Sequence, residues 1–429
     1  MVRHHTIRAL LVGGPMYDSL YERIPAFERA TGLRVEVIDR LPHPALNARV
    51  RRELESGGGD IDLISTHTKY APSQAAWLSP LDADVADDID DFLPQPRELA
   101  RIDGALLQVP RNLDARLLYY RSDLLGSSVP ETWDALIDAA TALTRPGLYG
   151  FLFPGRDSGL FGTFYELLVS AGGELFDVAL HPTFDGPAGV WAADRLADLH
   201  HRRRVTPRQL PAWHYDEISA AFRRGEAAMV CDWPGSHHLY MSPATCAVAD
   251  RVGVALLPTG PAGKRAAYAG CHSFAIPRSA RNRAGAVNLL RDLTASAAQL
   301  DEARRGAIPV RASALSQIRA EAAADSADAH RWALLTRTQD AMIIPPRFAA
   351  YPECEDALWH ALQRAMIGEV SAQAAVHDGA RHIEELIGRE QVSAQPNVEG
   401  PGFEHAAASS PERWGWDTGA VKNMRQREP

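Results

Sequence analysis

Residues 215–233, YDEISAAFRRGEAAMVCDW, indicate more about the fold than any other stretch of the chain. Their first part is typical of a short amphipathic helix with an apolar face made of Ile218, Ala221 and Phe222. Gly225 ends that helix at the position where a left-handed residue is needed. A buried strand over 227–231 follows at once and leads to Trp233. Because α/β folds bind ligands at the carboxyl ends of their strands, Trp233 is predicted to contact a ligand.

The beginning of the chain alternates between strand and helix patterns. Apolar or alternating segments predict strands over 7–12, 33–37 and 60–65. Apolar residues at helical spacing predict helices over about 18–30 and 46–54 between those strands. Strands that are separated by helices imply a parallel sheet with crossover connections, so the fold class is predicted to be α/β.

The composition is that of a large globular protein and argues against some partners. With 429 residues, the chain is long enough for two or three domains with their own cores. A net charge of −9 argues against a nucleic-acid partner, because phosphate binding relies on a basic surface. The longest apolar runs are too short for a membrane span. The run at 9–14 is also too short for a signal peptide, which leaves a removed signal or a cytosolic location as alternatives.

The cysteines do not predict a metal site. Cys231, Cys246, Cys271 and Cys354 lack the CxxC spacing of zinc sites, so neither a metal nor a cofactor is expected. A disulfide between Cys231 and Cys246 is an alternative for an exported protein. Four buried thiols are the preferred prediction.

Seven segments in the same order resemble one protein family. The pattern aF..G.aAM...W around 222–233 resembles the extracellular solute-binding proteins of ABC importers, in the branch with the maltose and glycerol-phosphate receptors. Further matches are GALLQVP at 104–110, LYYRSDL at 118–124, PETWDAL at 130–136, AGGELF at 171–176, PTGP at 258–261 with GCHSFAIP at 270–277, and GEVS at 368–371. The chain departs from the family at Arg121, where asparagine is usual, and at Ala135, where an acid is common.

The resemblance implies a two-lobed periplasmic-binding-protein fold of the type II kind, with discontinuous lobes, a hinge and a ligand cleft between them. The N-terminal lobe is expected to comprise 1–111 and about 273–310. The C-terminal lobe is expected to comprise 112–272 and about 311–392, and 393–429 to form an irregular tail.

Candidate ligand-binding residues lie after strands and at the expected crossings between lobes. Sugars are bound by aromatic rings that stack on C–H faces and by planar polar groups that bond hydroxyls, in concave sites. The candidates are Gly14, Tyr17, Thr66, His67, Thr68, Asn112, Asp114, Arg156, Trp213, Trp233, Gly270, Cys271, His272 and Arg347. For Gly270, Cys271 and His272 the expectation comes from the resemblance, because relatives contact ligand with this backbone. The alternatives are tight turns, helix caps and core packing, and Arg116 is expected to form an ion pair at the hinge.

Two arginines leave the charge of the ligand open. Arg156 and Arg347 are able to grip a phosphate, sulfonate or carboxylate as a bidentate pair, which would make the ligand an acidic sugar or a glycerol-phosphate type. A surface or interlobe salt bridge for Arg347 is equally compatible with the sequence.

By resemblance, the chain is the substrate-binding component of an ABC importer. It is expected to capture a sugar or sugar derivative by hinge closure and to deliver it to the transmembrane subunits of a permease. It is expected to act as a monomer, in the periplasm or anchored outside the membrane, without chemistry on the ligand. The alternatives are an enzyme acting on a carbohydrate, disfavoured by the lack of short catalytic motifs, and a cytosolic ligand-sensing regulator.

Overall fold

The computed structural model describes residues 5–57, 60–324 and 326–393. All but the first residue of the predicted tail, 393–429, lies outside this range. The strands are β1 (Thr6–Val12), β2 (Arg34–Leu41), β3 (Leu63–His67), β4 (Arg101–Ile102), β5 (Ala105–Leu106), β6 (Val109–Ala115), β7 (Leu117–Arg121), β8 (Tyr149–Leu152), β9 (Ala227–Asp232), β10 (Val252–Ala255), β11 (Ala267–Ala275), β12 (Ile308–Pro309) and β13 (Met342–Ile343).

Helices cover both sheets. They are α1 (Asp18–Thr31), α2 (His43–Glu55), α3 (Ala71–Gln74), α4 (Pro94–Leu99), α5 (Ser122–Leu125), α6 (Trp133–Leu143), α7 (Asp157–Ser170), α8 (Pro187–Ala197), α9 (Tyr215–Arg223), α10 (His237–Met241), α11 (Arg283–Leu293), α12 (Ser296–Arg304), α13 (Ala312–Glu321), α14 (Ala327–Thr338), α15 (Tyr351–Met366) and α16 (Ala372–Ser393). Among the described residues, no helix combines the length and apolar character that a membrane crossing requires.

The first sheet has the strand order β12-β6-β11-β3-β1-β2, with β13 beside β11. The predicted parallel pairing of the first three strands is confirmed, since β1 runs parallel to both β2 and β3. The sheet as a whole is mixed, because β11 returns antiparallel to both β3 and β6. We call this sheet with its helices the first lobe. The α/β class predicted from the sequence is confirmed, with this difference in strand direction.

The second lobe is built on a smaller sheet with the order β10-β7-β9-β8. Residues 215–233 contain its α9 and β9, as predicted. Gly225 has a φ of 81°, so it occupies the left-handed region between them. At the start of α9, His214 and Glu217 form a capping box that satisfies backbone amides at the helix end. Helices α7, α8 and α15 pack on one another in this lobe.

The chain passes between the lobes at Arg116. Strand β6 ends at Ala115 in the first sheet and β7 begins at Leu117 in the second. The expected lobe boundaries at 111 and 272 fall inside β6 and β11, and the division of the chain into lobes stays a prediction.

The cysteines are buried, and Cys231 and Cys246 remain separate thiols. The preferred prediction of buried thiols is therefore confirmed, and the alternative disulfide is wrong. Cys231 lies on β9, where its sulfur approaches the Arg116 guanidinium at 3.8 Å.

A buried ion pair holds the crossing point in place. The fully buried guanidinium of Arg116 lies 3.2 Å from the carboxylate of Glu166 on α7. Arg116 also donates to the hydroxyl of Thr163 and the carbonyl of Gly159, at 2.9 Å each. The second carboxylate oxygen of Glu166 accepts the backbone N–H of Tyr268 on β11 at 2.8 Å. Glu166 therefore ties the second lobe to the crossing at Arg116 and to strand β11 of the first sheet, as expected for a hinge.

We expect Glu166→Gln to lower the free energy of unfolding by about 3–5 kcal/mol, because it leaves the Arg116 charge buried without a counter-ion. Glutamine still accepts the Tyr268 amide, so the loss reports on the charge. The control is Glu22→Gln, which removes an exposed ion pair with Arg305 and should cost at most about 1 kcal/mol. Urea unfolding of the three proteins measures both values. If both variants lost the same free energy of unfolding, the buried ion pair would contribute no more stability than the exposed one.

Candidate ligand-binding cleft

The ends of β1 and β3 in the first lobe face the loop that follows β9 in the second lobe. Gly14 lies directly after β1 and has a φ of 123°. Glycine adopts this backbone conformation more readily than other residues do. A Cβ on Gly14 would stand 3.6 Å from the carboxylate of Asp216 in the second lobe. The sulfur of Met16 lies 3.7 Å from the hydroxyl of Ser236. The two lobes thus contact each other along one side of the cleft.

Three histidines from separate segments meet between the strand ends, and we call them the histidine cluster: His43, His67 and His272. The ring centroid of His272 lies 4.5 Å from that of His43 and 5.2 Å from that of His67. Tyr17 contacts the cluster through its hydroxyl, 2.9 Å from Nε2 of His43. Nε2 of His272 lies 3.0 Å from the carboxylate of Asp114.

Burial keeps His43 and His67 neutral. Removal from water lowers the pKa of His43 and of His67 well below the usual value, and the neighbouring His272 adds to both shifts. The backbone N–H of Lys69 donates to Nδ1 of His67 at 3.1 Å, so that nitrogen carries no proton. Burial likewise raises the pKa of the Tyr17 hydroxyl, with Asp114 as the next cause. Tyr17 therefore keeps its hydroxyl proton.

The histidine cluster is not arranged as a metal centre. In the ranges that the structure describes, no group of three or more His, Cys, Asp or Glu side chains has an arrangement that could hold a metal ion. The neutral imidazoles of His43 and His67 instead donate and accept single hydrogen bonds.

Two candidates on β6 lie beside the cluster. Asn112 donates from Nδ2 to the Asp114 carboxylate at 2.9 Å. Its carbonyl oxygen is buried and lacks a hydrogen-bond partner within the described chain. A buried polar atom without a partner costs stability unless something else bonds it. The hydroxyl of Thr68 is in the same situation, whereas that of Thr66 donates to Gln74 at 2.8 Å.

Aromatic rings from the second lobe and from β11 surround Arg116. The guanidinium carbon lies 5.4 Å from the ring of Tyr215, 5.3 Å from that of Trp233 and 5.2 Å from that of Tyr268. The Trp233 ring is half-buried, 5.3 Å from Tyr215 and 5.8 Å from Tyr268. Among the described residues, the Tyr215 hydroxyl has no hydrogen-bond partner. These half-buried rings could take a sugar face on the side away from the arginine.

Three further predicted residues lie on β11 and in the loop before α9. A Cβ on Gly270 would stand 2.2 Å from Nε2 of His67, so glycine permits the close approach of β11 to the cluster. Cys271 is fully buried next to His272. Trp213 is half-buried, and its carbonyl accepts the N–H of Gly155.

Arg156 and Arg347 lie in separate surroundings. Arg156 forms an ion pair with Asp157 at 3.2 Å. Arg347 donates to the carbonyl of Leu99 at 2.5 Å, and burial lowers its pKa. Their contacts do not bring the two guanidinium groups together, and ligand contact by either one stays a prediction.

Sequence reasoning missed His43, Tyr215 and Tyr268. His43 begins α2 two residues after β2 ends, so the strand-end rule applied to the other candidates would have included it. Tyr215 is the first residue of α9, next to His214, whose Nε2 is buried and has no partner in the described part of the chain. Tyr268 gave no local signal, because its place depends on how β11 crosses the molecule.

We expect the neutral histidines to make stability depend on pH. Their folded pKa values lie below the unfolded value of about 6.5, so their contribution is complete above that pH and is lost as the pH falls. The loss is up to about 1.4 kcal/mol per histidine and pH unit. Thermal unfolding of wild type and of His43→Gln/His67→Gln at pH 7.5 and 5.5 tests this, and the variant should lose less on acidification.

The comparison between proteins is needed because Asp232 acts in the opposite direction. Burial raises the pKa of this carboxyl to about 6, so its ionisation lowers stability as the pH rises. Asp232 is common to both proteins, as are Lys69, Arg111 and Asp114 beside the cluster. Exposed His382→Gln is the control and should behave like wild type. If all three proteins lost the same stability between pH 7.5 and pH 5.5, the role of the cluster would be contradicted.

Comparisons with known proteins agree with this architecture. Residues 13–300 match the model of the family described as bacterial extracellular solute-binding protein. A probable ABC transporter-binding protein of Deinococcus radiodurans is 26% identical over 301 residues, which is 67% of this chain and 71% of that protein. A mannitol-binding protein of Pseudomonas aeruginosa is 29% identical over 256 residues, which is 56% of this chain and 58% of the relative.

Solved structures have the same two-lobed fold. Maltose-bound MalE3 of T. maritima is 27% identical, with a TM-score of 0.81, and the alignment covers 89% of this chain and 99% of that one. A solute-binding protein of Agrobacterium vitis S4 with bound D-mannitol is 22% identical, with a TM-score of 0.76 and coverage of 91% and 100%. At that identity the second likeness concerns the fold alone. The matched family model spans most of the chain, which therefore belongs to the bacterial extracellular solute-binding protein family.

Proposed function

We propose that this chain is the substrate-binding component of an ABC importer and captures an uncharged sugar or polyol between its lobes. The observation that carries the proposal is that the second lobe offers half-buried rings and the first lobe offers buried polar atoms without partners. Trp233 and Tyr215 supply the rings, and Asn112 and Thr68 supply buried polar atoms that lack partners within the described residues. Ligand hydroxyls would satisfy these atoms, and C–H faces would cover the rings.

The charges beside the cleft favour an uncharged ligand. Arg111 is buried 2.8 Å from Glu302, Arg116 lies 3.2 Å from Glu166, and Lys69 lies 2.8 Å from Glu355. Each of these cations is already neutralised, so an anionic ligand would gain little Coulomb energy from them. Asp114 adds a negative charge at the histidine cluster. We therefore prefer a neutral ligand to the acidic sugar that Arg156 and Arg347 would suggest.

The known relatives support this ligand class. The Pseudomonas aeruginosa relative is named for mannitol, and the similar structure from T. maritima holds maltose. The family is one of solute-binding proteins rather than of enzymes, and its description places its members outside the bacterial cell. A periplasmic or surface-anchored location and a monomeric state are part of the proposal.

The mechanism is hinge closure around the ligand. The lobes rotate about the crossing at Arg116, and a ligand that contacts both lobes raises the population of the closed form by its preference for that form. The contacts of Met16 with Gly235 and Ser236 belong to the closed arrangement. The closed protein would then dock on the transmembrane subunits of the permease, without chemistry on the ligand.

A thermal-shift screen followed by calorimetry tests the proposal. Hexoses, hexitols, sugar phosphates, sulfonated sugars and glycerophosphodiesters are compared at equal concentration. A ligand that binds the native state raises the melting temperature by mass action, by about 2.7 kcal/mol of stabilisation at a hundredfold excess over Kd. We expect shifts with neutral ligands. If only the anionic compounds raised the melting temperature, the proposal of a neutral ligand would be wrong. If no compound raised it, the result would count against carbohydrate binding.

We expect Trp233→Ala to weaken binding of the neutral ligand found in the screen by at least about tenfold, because a stacking surface is removed. The melting temperature without ligand should change little, since the ring is only half-buried. Trp77→Ala is the matched control, because Trp77 is exposed on the first lobe. Titration calorimetry gives the three affinities. Unchanged affinity in Trp233→Ala would remove this residue from the site.

A further inference from the structure

One ion pair connects the two lobes in the interior of the protein. Lys69 follows β3 in the first lobe, and Glu355 lies on α15 in the second. The side chains are 6% and 5% exposed. The ammonium of Lys69 donates to both carboxylate oxygens of Glu355, at 3.0 and 2.8 Å. Burial alone would lower the pKa of Lys69, but Glu355 and Tyr70 together more than offset this, so the pKa is raised and the lysine stays charged.

Three tyrosines complete the contact. Lys69 also donates to the hydroxyl of Tyr268 at 3.0 Å. The hydroxyl of Tyr70 donates to Glu355 at 3.2 Å, and that of Tyr351 donates to the other carboxylate oxygen. We call these five residues the interlobe plug. Their polar groups satisfy one another, which is the condition for a buried ion pair to be tolerated.

The interlobe plug stands at one end of the candidate site. The Tyr70 ring lies 6.3 Å from His67 of the histidine cluster, and the Tyr268 ring lies 5.8 Å from Trp233. At the other end, Tyr17 adjoins the cluster, and Met16 beside it meets the second lobe. Contacts between the lobes therefore lie at both ends of the candidate site.

We propose that the interlobe plug limits ligand length, so that the closed cleft takes one sugar ring or a hexitol and excludes two or more linked rings. This inference rests on the proposed function. A second ring at the Lys69 end would have to occupy the volume that the buried side chains of Lys69 and Glu355 fill. The interior of a protein is closely packed, so these side chains would have to move to make room for it.

The first test uses the wild-type protein. Titration calorimetry compares mannitol, sorbitol, glucose and mannose with maltose and maltotriose. We expect the best single-unit ligand to bind at least about 100-fold more tightly than maltotriose. Equal or tighter binding of maltotriose would overturn the length limit while the proposed function stands. A failure of all six compounds to bind would count against both.

The second test changes the volume of the interlobe plug. Lys69→Ala/Glu355→Ala removes both side chains and leaves neither charge unpaired. We expect the ratio of the affinity for the best single-unit ligand to the affinity for maltotriose to fall at least about tenfold in this variant. The cause would be tighter binding of maltose or maltotriose. The control Lys69→Met/Glu355→Gln removes the charge but keeps the volume, and should retain the preference. Circular dichroism checks that both variants are folded.

The two double variants separate a steric limit from an electrostatic one. If the volume-reduced variant folds and still rejects maltotriose as wild type does, the interlobe plug is not the limit. If the isosteric control accepts the longer ligands equally well, the ion pair acts as a latch, and the steric proposal is wrong. Should the alanine variant not fold, Lys69→Ala/Glu355→Gln, which removes one side chain and leaves no charge, takes its place with the same expected outcome.

Discussion

The buried ion pair between Arg116 and Glu166 is the interaction on which the rest of the structure depends. Arg116 is the single residue between β6 and β7, so its position fixes how the first sheet continues into the second. Glu166 holds the guanidinium with one oxygen and the backbone of β11 with the other. The same guanidinium lies against Trp233 and Tyr215, so the hinge and the wall of the cleft are built from one charged group.

A buried charge at this place constrains its surroundings. Burying an ion pair is costly, and it is retained where its geometry is needed. Gly162 on α7 shows the constraint, because a Cβ there would stand 2.1 Å from the Arg116 guanidinium. The pairs Arg111–Glu302 and Lys69–Glu355 repeat the pattern at other places around the cleft. The site is thus lined by charges that are matched before a ligand arrives, together with the neutral imidazoles of His43 and His67.

The sequence was most informative where local pattern and tertiary structure agree. Helix α9, Gly225 and β9 could be predicted because amphipathic spacing, a left-handed stop and an apolar run are local signals. The direction of β11 could not, since antiparallel pairing with β3 and β6 depends on contacts far apart in the chain. For the same reason the candidates after β1 and β3 were found one by one, while the meeting of His43, His67 and His272 was not foreseen.

The scarcity of lysine gives Lys69 a chemical use. The chain has lysines only at 69, 264 and 422, and Lys264 is exposed. An amine-selective reagent meets Lys264 in any conformation, but it reaches Lys69 only when the lobes separate. The modification rate at Lys69, divided by that at Lys264, therefore follows the opening of the molecule from within a single sample. The two natural lysines therefore allow domain motion to be followed without an engineered label.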